Sequence, residues 1–407
     1  MASVDVRTRT SADVRSIGAA EFFKDELPNL LAARTALAAP GARQMGLRSF
    51  GFEVDDHCWM LDFDGASFTS VDGTDGADAV VRLDAQGFAD IVNDLRTPVG
   101  FFTGGDLDMP RGRLEDFLDW WVVLRSLLDG RPVHETGAVQ FVDRDGSRLS
   151  LTRAFSIEDD PEDLAHFLAQ AGFLHIAGVF DESEMAAASE EMDAAMSHYS
   201  PDDGRSWWAR TVDGEDRLVR MQYFHHESPT TKTLLGDDRL QRLAQLTGDG
   251  HRVRKPGGNS NVVEALVKPV GIVEGISDVP WHKDCSLGGH SYRCCSMTVG
   301  ISVTGADADT GQLRVVPGSH RALIQPAFVR RDLDLPQVDL PTRTGDVTIH
   351  LSCTLHMSQP PVTGERRVMY TDFSLPEPEG GDPVEATLRR IREGAPKTVS
   401  QAPGHTG

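Results

Sequence analysis

The second half of the chain is divided into many short apolar segments, and this pattern limits the folds that it can adopt. Five such segments are separated by clusters of Gly, Pro and Asp, which favour turns: residues 262–267, 297–303, 313–316, 347–351 and 368–373. Each is too short for a typical helix, and short strands at such spacing are typical of two packed antiparallel sheets. The pattern predicts a jelly roll, a cupin-like double-stranded β-helix, with flanking helices.

The chain of 407 residues is too long for one ordinary core, so we expect two domains or one large one. We assign residues 1–16 to a disordered leader, 17–135 to an α+β domain, 136–155 to a linker or hairpin, 156–376 to the jelly-roll domain, and 377–407 to a mobile tail with one short helix near 386–393. Helical patterns at 22–37, 84–95 and 114–128 enclose strand patterns at 47–54, 58–63 and 79–83.

The order of elements in the first domain, with its segment GGDLDMPRGRLEDFLDWWVVLRSLL, resembles a sterol-carrier-protein-like domain. That resemblance implies an apolar ligand held between a sheet and its helices. For Trp120 and Trp121, packing in an ordinary core is a simpler explanation than a ligand tunnel. The domain can also be an interaction surface, and a homodimer formed through it stays open.

The charge and the cysteines of the chain exclude several classes of protein. The net charge of −22 would repel nucleic acid and anionic membranes. No apolar stretch approaches 18 residues, and the N-terminus has no secretory signal, so we expect no membrane insertion. The five cysteines lack CxxC spacing, which favours reduced thiols over disulfides. We therefore expect a cytoplasmic protein that acts on a small molecule.

A candidate metal site begins at Trp281-His282-Lys283-Asp284. Two residues one apart on a strand point to the same face, so His282 and Asp284 can reach one ion, although an H-x-D tripeptide alone is common. Further along, His356 ends a predicted strand and Arg366 follows it. Two histidines and one carboxylate form the facial triad of non-haem iron(II) oxygenases, which leaves coordination positions open. An arginine offers the planar fork that binds a carboxylate.

Four blocks in this order resemble the phytanoyl-CoA dioxygenase-like family of iron(II)/2-oxoglutarate-dependent oxygenases over roughly residues 155–376. They are LAQAGFLHIAGVFDESEM, LVKPVG with WHKD, GADADTGQLRVVPGSHR, and GDVTIHLSCTLHMS with RRV. The resemblance implies that His282, Asp284 and His356 are the metal ligands and catalytic residues, and that Arg366 binds 2-oxoglutarate. It also implies Fe(II), 2-oxoglutarate and O2, with ascorbate as an auxiliary reductant.

Other assignments around the cosubstrate stay open. Arg367 rivals Arg366, because the spacing from His356 is one residue shorter than is usual in the family. Lys268 matches a family position near the cosubstrate, but a surface lysine on a strand edge would look the same. Thr298 lies on a strand that we expect to face the metal. The amide of Gln312 suits a hydrogen bond to cosubstrate or substrate, or one within its own loop.

The remaining histidines have simpler interpretations than metal binding. We expect His320 to fix its turn and His350 to be a hydrogen-bonded core residue. His225 and His226 precede a turn and are not required at the site by their spacing. A separate zinc site is disfavoured by the irregular spacing of its candidate ligands, which are His290, Cys285, Cys294 and Cys295.

Asp284 also bears on the reaction. Halogenating relatives have Gly or Ala at the carboxylate position, so the acid disfavours halogenation. We expect oxidation, chiefly hydroxylation, of an unactivated C–H bond in a small organic substrate, hydrophobic or of a secondary-metabolite type. Desaturation, epimerisation and ring closure stay open. The alternatives are a catalytically silent lipid- or small-molecule-binding module and a zinc-dependent hydrolase.

Overall fold

The N-terminal region combines one sheet with helices. The computed structural model describes residue 5 and residues 7–201, 203–255, 260–275, 277–288 and 295–394. The helices of this region are α1 (Ala19–Glu21), a π-helical segment (Phe22–Glu26), α2 (Leu27–Met45), α3 (Ala85–Val92), α4 (Pro98–Gly104) and α5 (Leu114–Asp129). Its strands are β1 (Ser49–Val54), β2 (His57–Phe63), β3 (Phe68–Asp72), β4 (Ala79–Leu83) and β5 (Asp108–Arg111). They lie in the order β3-β2-β1-β4-β5, and β1 and β4 are parallel.

Aromatic side chains fill the space between this sheet and its helices. The rings of Phe23 and Trp59 stack with centroids 4.5 Å apart, and Phe50 lies 5.4 Å from Phe117 on α5. Trp120 and Trp121 are 2% and 0% exposed and belong to the same core. All residues from 117 to 127 of α5 are buried, so the tryptophan pair packs the domain interior on a helix that is covered on every side.

The rest of the chain contributes one large sheet, one small sheet and further helices. The helices are α6 (Pro161–Ala171), α7 (Glu182–Ala195), α8 (Pro229–Leu234), α9 (Asp238–Ala244) and α10 (Pro383–Gly394). The strands are β6 (Phe155–Ser156), β7 (Phe173–Ala177), β8 (Ser206–Thr211), β9 (Asp216–Met221), β10 (Arg252–Val253), β11 (Glu264–Lys268), β12 (Ile272–Glu274), β13 (Ser296–Ser302), β14 (Leu313–Val315), β15 (Val338–Leu340), β16 (Val347–Leu351), β17 (His356–Ser358) and β18 (Arg366–Ser374).

The large sheet has ten strands in the order β12-β8-β9-β11-β18-β13-β16-β7-β6, with β10 paired to β18. The small sheet has the order β15-β14-β17. Four 3-10 helices complete the described elements: Ser11–Asp13, Met196–His198, Phe224–His226 and Asp284–Leu287. In the described part of the chain, no helix is long and apolar enough to cross a bilayer.

The large sheet has an apolar face and a polar face. Met297, Val299 and Ile301 of β13 belong to the hydrophobic core, as do Ile349 of β16 and Met369 of β18. Because side chains alternate along a strand, the residues between these point to the opposite side of the sheet. On that side the strand register pairs Thr298 with His350 and Asp372, and Lys268 with Arg366. The polar face carries the candidate site.

Where the structure describes them, the predicted leader and tail make contacts with the N-terminal region. In the leader, Arg9 donates a hydrogen bond of 2.5 Å to the Asn93 carbonyl oxygen. In the tail, Ile391 of α10 is only 4% exposed, and Arg390 pairs with the buried Asp90 at 3.0 Å. Polar sequence alone did not reveal these contacts, because they join segments far apart in the chain. Between the two regions, an antiparallel bridge joins Val142 to Arg148, as a hairpin would.

Candidate metal centre

Three side chains meet where the polar face of the large sheet approaches β17. His282, Asp284 and His356 each offer one ligand atom, and these atoms lie within 4.8 Å of one another. The Nε2 atoms of His282 and His356 lie 3.3 and 3.6 Å from the Asp284 Oδ1 atom. The three residues that the sequence predicts as ligands are thus brought together.

The backbone holds the two histidines side by side. His282 and His356 form an antiparallel bridge in which each amide donates to the carbonyl oxygen of the other at 2.9 Å. Their Nδ1 atoms lie 2.7 Å from the Pro280 carbonyl oxygen and 2.9 Å from that of Thr354. When Nδ1–H donates to a carbonyl oxygen, Nε2 carries no proton and its lone pair is available to a metal. In both histidines Nε2 faces Asp284.

The H-x-D segment is not the strand that we predicted. His282 makes only isolated bridges, and Asp284 begins the 3-10 helix Asp284–Leu287. Lys283 between them is 0% exposed and donates to the Ser319 carbonyl oxygen at 3.0 Å. The alternation that directs both ligands to one side is retained, because the intervening lysine turns into the interior.

The charges at the site suit a cation. Burial alone would raise the pKa of Asp284, but the neighbouring imidazoles, His356 first and then His282 and His350, bring that pKa well below its usual value. Burial, together with the adjacent His350 and His282, lowers the pKa of His356 well below its usual value. An ionised carboxylate and a neutral imidazole are the forms that bind a metal.

Two further side chains hold the second oxygen of Asp284. Thr298 Oγ1 donates to Asp284 Oδ2 at 2.6 Å, and His350 Nε2 lies 3.2 Å from the same atom. The ring centroids of His350 and His356 lie 4.0 Å apart, and the residue His350 is 1% exposed. Thr298 was predicted to face the metal, whereas His350 was interpreted only as a core histidine. Its position opposite Thr298 in the sheet register is the signal that sequence reasoning missed.

Two buried cations lie on the same face of the sheet. Lys268 is 1% exposed and Arg366 is 4% exposed, and they are direct neighbours across β11 and β18. Lys268 Nζ donates to Ser358 Oγ, two residues beyond His356, and lies 3.4 Å from an Asp278 oxygen. Burial and the charge of Arg366 lower the pKa of Lys268 to about 7. Lys268 is therefore buried, and the alternative that it is a surface lysine on a strand edge is wrong.

Arg366 and Arg367 point to opposite sides of β18. Arg366 Nη1 donates to the Gly311 carbonyl oxygen at 2.6 Å, and no carboxylate pairs with it within the described ranges. Arg367 instead pairs with Asp193 at 2.8 Å and with Glu365 at 2.9 Å. Gln312 is 5% exposed, and its backbone bonds to Asp307 and Gln359 fix the loop beside Gly311.

His320, His225 and His226 have contacts of their own, whereas Cys285 directly follows Asp284 in the 3-10 helix. His320 donates through Nε2 to the Ala169 carbonyl oxygen at 2.9 Å, and burial lowers the pKa of His320 to about 4. The rings of His225 and His226 lie 4.1 Å apart. His290 and Cys294 lie outside the described residues. No disulfide joins the described cysteines, which are Cys58, Cys285, Cys295 and Cys353.

Comparison with known proteins gives one family and several distant structural likenesses. Residues 168–369 match the family model described as phytanoyl-CoA dioxygenase (PhyH). No curated protein matches significantly. One similar solved structure is the epimerase SnoN in complex with Fe3+, alpha ketoglutarate and nogalamycin RO. It has 22% identity and a TM-score of 0.42, and the match covers 53% of this chain and 83% of that one.

Two others are AviO1 from Streptomyces viridochromogenes Tue57 and EctD from S. alaskensis with 2-oxoglutarate and 5-hydroxyectoine. AviO1 has 21% identity and a TM-score of 0.41 over 55% of this chain and 98% of that one. EctD has 18% identity and a TM-score of 0.44 over 60% of this chain and 86% of that one. Likeness at this level is too distant to indicate a reaction or substrate.

Proposed function

We propose that this chain is an Fe(II)- and 2-oxoglutarate-dependent dioxygenase that hydroxylates an unactivated C–H bond of a small organic molecule. The match of residues 168–369 to the phytanoyl-CoA dioxygenase family model supports this proposal. The observation that carries the proposal is the meeting of His282, Asp284 and His356 within 4.8 Å, beside a buried arginine. We infer that the large and small sheets form the jelly roll predicted from the strand pattern, and that the enzyme acts in the cytoplasm.

The three ligands fit iron(II) by their chemistry. Two imidazole nitrogens and one carboxylate oxygen are the donor set of non-haem iron oxygenases, and they leave coordination positions for other groups. The carboxylate in this set also leaves no vacant place for a halide, which supports oxygenation over halogenation. When bound, iron with 2-oxoglutarate and O2 supplies the oxidant, and 2-oxoglutarate is converted to succinate and CO2.

The two buried cations fit the cosubstrate. Arg366 has a fixed, planar guanidinium with no carboxylate partner in the described part of the chain, so it is free to bind a dicarboxylate. Lys268 lies next to it and adds a second positive charge whenever its amine is protonated. A buried cation is stable only when it is paired, and a bound carboxylate would supply the partner. We assign Arg366 rather than Arg367 to 2-oxoglutarate for this reason.

The face of the sheet beside the metal favours a substrate with polar groups. Asp372 lies opposite Thr298, and burial raises the pKa of Asp372. Tyr370 lies opposite Gly300, where an added Cβ would be 3.0 Å from the tyrosine ring, and Glu264 follows on β11. Carboxyl and phenol groups on this face can bind hydroxyl or amino groups of a substrate. We therefore propose a small polar or polyfunctional substrate rather than a purely hydrophobic one.

Substrate-free turnover tests the proposal without knowledge of the substrate. Protein stripped of metal and reloaded anaerobically with Fe(II) should consume 2-oxoglutarate and O2 slowly and release succinate. The Asp284→Ala variant, which lacks one ligand, should release none. Failure of the wild-type protein to bind 2-oxoglutarate or form succinate would leave the silent binding module as the explanation. Hydrolytic activity with Zn(II), without uptake of O2, would instead indicate the zinc-dependent hydrolase.

A further inference from the structure

The turn that carries Asp284 packs against the N-terminal region. Helix α4 lies against the 3-10 helix Asp284–Leu287, and the two backbones touch at glycines. A Cβ added at Gly100 would lie 2.1 Å from the Leu287 carbonyl oxygen. A Cβ added at Gly288 would lie 2.3 Å from the Leu95 carbonyl oxygen. Real side chains do not approach backbone atoms so closely, so any larger residue at either position requires the turn to move.

Hydrogen bonds join the same two segments. Thr97, which is 1% exposed, precedes the first residue of α4 and donates through Oγ1 to the Ser286 carbonyl oxygen. The Thr97 amide donates to the Leu287 carbonyl oxygen at 3.4 Å. These carbonyls end a short helix, where the carbonyl groups have no partner within the helix itself. The beginning of α4 thus supplies donors to the end of the ligand-bearing turn.

Helix α4 is itself firmly held. Arg96 is 8% exposed, and its Nη2 atom donates to the Gly100 carbonyl oxygen at 3.0 Å and pairs with Asp106 at 2.5 Å. The Arg96 guanidinium lies 4.0 Å from the centre of the Phe101 ring. The Arg96 side chain is already fixed by these three contacts, so little further conformational entropy is lost when α4 packs against the turn. The contact surface offered to the turn is therefore rigid.

The other supports of the turn come from the jelly-roll region. The Lys283 amide donates to the Pro326 carbonyl oxygen at 2.8 Å, and the Cys285 amide donates to that of Ser352 at 3.3 Å. These bonds hold the residues on either side of Asp284, whereas α4 holds the turn from its far end at Ser286 and Leu287. The two histidine ligands are tied to one another, so Asp284 is the ligand whose direction depends on the turn.

We propose that α4 is a positioning element of the metal site: through Thr97 and Gly100 it fixes the turn Asp284–Leu287, and with it the direction of the Asp284 carboxylate. This inference rests on the proposed function, since it takes Asp284 to be a metal ligand. Helix α4 lies outside the residues that match the family model. The N-terminal region then completes the metal site of the oxygenase domain.

The Gly100→Ala variant tests the close approach. Alanine favours a helix more than glycine does, so α4 should not be weakened, but the new methyl group must displace the turn. We expect Mn(II) to bind the metal-free full chain at least ten-fold more weakly, as measured by calorimetric titration. The Gly18→Ala variant is the control, because its added Cβ would be 3.9 Å from the nearest atom, and it should bind Mn(II) as the wild type does.

The hydroxyl of Thr97 supplies a second test that does not depend on Gly100→Ala folding. Thr97→Val keeps the shape and removes the donor, so Mn(II) binding should weaken several-fold, whereas Thr97→Ser should restore it. Thr103→Val on the same helix is the matched control, because the Thr103 hydroxyl bonds only within α4, to the Val99 and Gly100 carbonyls.

The outcomes separate the two proposals. Folded Gly100→Ala and Thr97→Val proteins with wild-type Mn(II) affinity would overturn the role of α4 and leave the oxygenase assignment intact. A wild-type protein that binds neither Mn(II) nor 2-oxoglutarate would overturn the oxygenase assignment itself. Equal loss in Thr97→Val and Thr97→Ser would show that the hydroxyl is not the positioning group and would overturn that part of the proposal.

Discussion

Replacing Lys268 by methionine should stabilise the metal-free protein near neutral pH while it weakens 2-oxoglutarate binding. The ammonium group is buried beside Arg366, which lowers the pKa of Lys268 from 10.5 to about 7. At 1.36 kcal/mol for each pKa unit, holding the proton in the folded state costs roughly 5 kcal/mol. Methionine has a similar length and no charge, so the Lys268→Met variant does not carry this cost.

Part of this gain is offset by lost hydrogen bonds. Lys268 donates to Ser358 Oγ and lies near Asp278, so the variant leaves a buried hydroxyl with one donor fewer. Leaving such a group unsatisfied costs about 1–3 kcal/mol. At pH 6 the net stabilisation of the Lys268→Met variant should therefore be roughly 2–4 kcal/mol in the free energy of unfolding.

The sign of the effect should change with pH. Between about 7 and 10.5 the unfolded chain binds the lysine proton and the folded chain does not, so wild-type stability rises with pH across this window. Below about 7 both states are protonated and the cost is complete. Above about 10.5 the lysine is neutral in both states, so only the lost hydrogen bonds remain and the variant should be the less stable protein.

Urea unfolding of the two metal-free proteins at pH 6, 8.5 and 10.5, with 2-oxoglutarate titrations at neutral pH, would measure both effects. A Lys232→Met variant is the control, since Lys232 lies on helix α8, away from the two cations. A pH-independent difference between wild type and Lys268→Met would refute the reasoning about the buried charge. Unchanged 2-oxoglutarate affinity in Lys268→Met would refute the place given to Lys268 in the cosubstrate site.

Three further perturbations distinguish parts of the site and the fold. Arg366→Leu should raise the KM for 2-oxoglutarate at least about 100-fold in a succinate assay, because a buried charged hydrogen bond is lost, while Arg367→Leu should change it less than about 3-fold. His350→Phe should weaken Mn(II) binding about 10- to 100-fold in a calorimetric titration, as loss of a residue that orients a ligand does; unchanged affinity would limit His350 to packing. Gly345→Ala should lower the free energy of unfolding by roughly 3 kcal/mol in urea, because φ is +84° and the added Cβ would lie 2.0 Å from the Phe180 carbonyl oxygen; a loss under about 1 kcal/mol would show that the loop adapts.

The strands of the second half were predictable because their alternation is local. The predicted segment 347–351 is β16 itself, and 297–303 differs from β13 by one residue at each end. The missed elements lack such a pattern. Strand β3 has the mainly polar sequence FTSVD, and β5 contains a proline at a sheet edge. Helix α4 is seven residues long and contains two glycines, which count against a helix when only propensity is considered.

The three proposed metal ligands were recognisable in the sequence for a reason that does not apply to the residues around them. His282, Asp284 and His356 are recognisable as residue types at family positions. His350 and Thr298 gain their role from being paired across two strands, and the sequence contains no local sign of this register. The same is true of Thr97, whose hydroxyl meets the turn at Ser286 only after the two regions have folded together. Side chains that orient a ligand are therefore less visible in a sequence than the ligand itself.

The distribution of charge shows why net charge could not predict what the site binds. The chain has a net charge of −22, which disfavours anions at long range. Salt nevertheless screens exposed charges beyond about 8–10 Å, whereas two adjacent buried cations are screened far less. Lys268 and Arg366 thus produce a local positive potential that the acidic surface does not cancel. An anionic cosubstrate in an acidic protein is consistent with this arrangement, and an anionic group on the substrate is equally compatible with it where that group reaches those two residues.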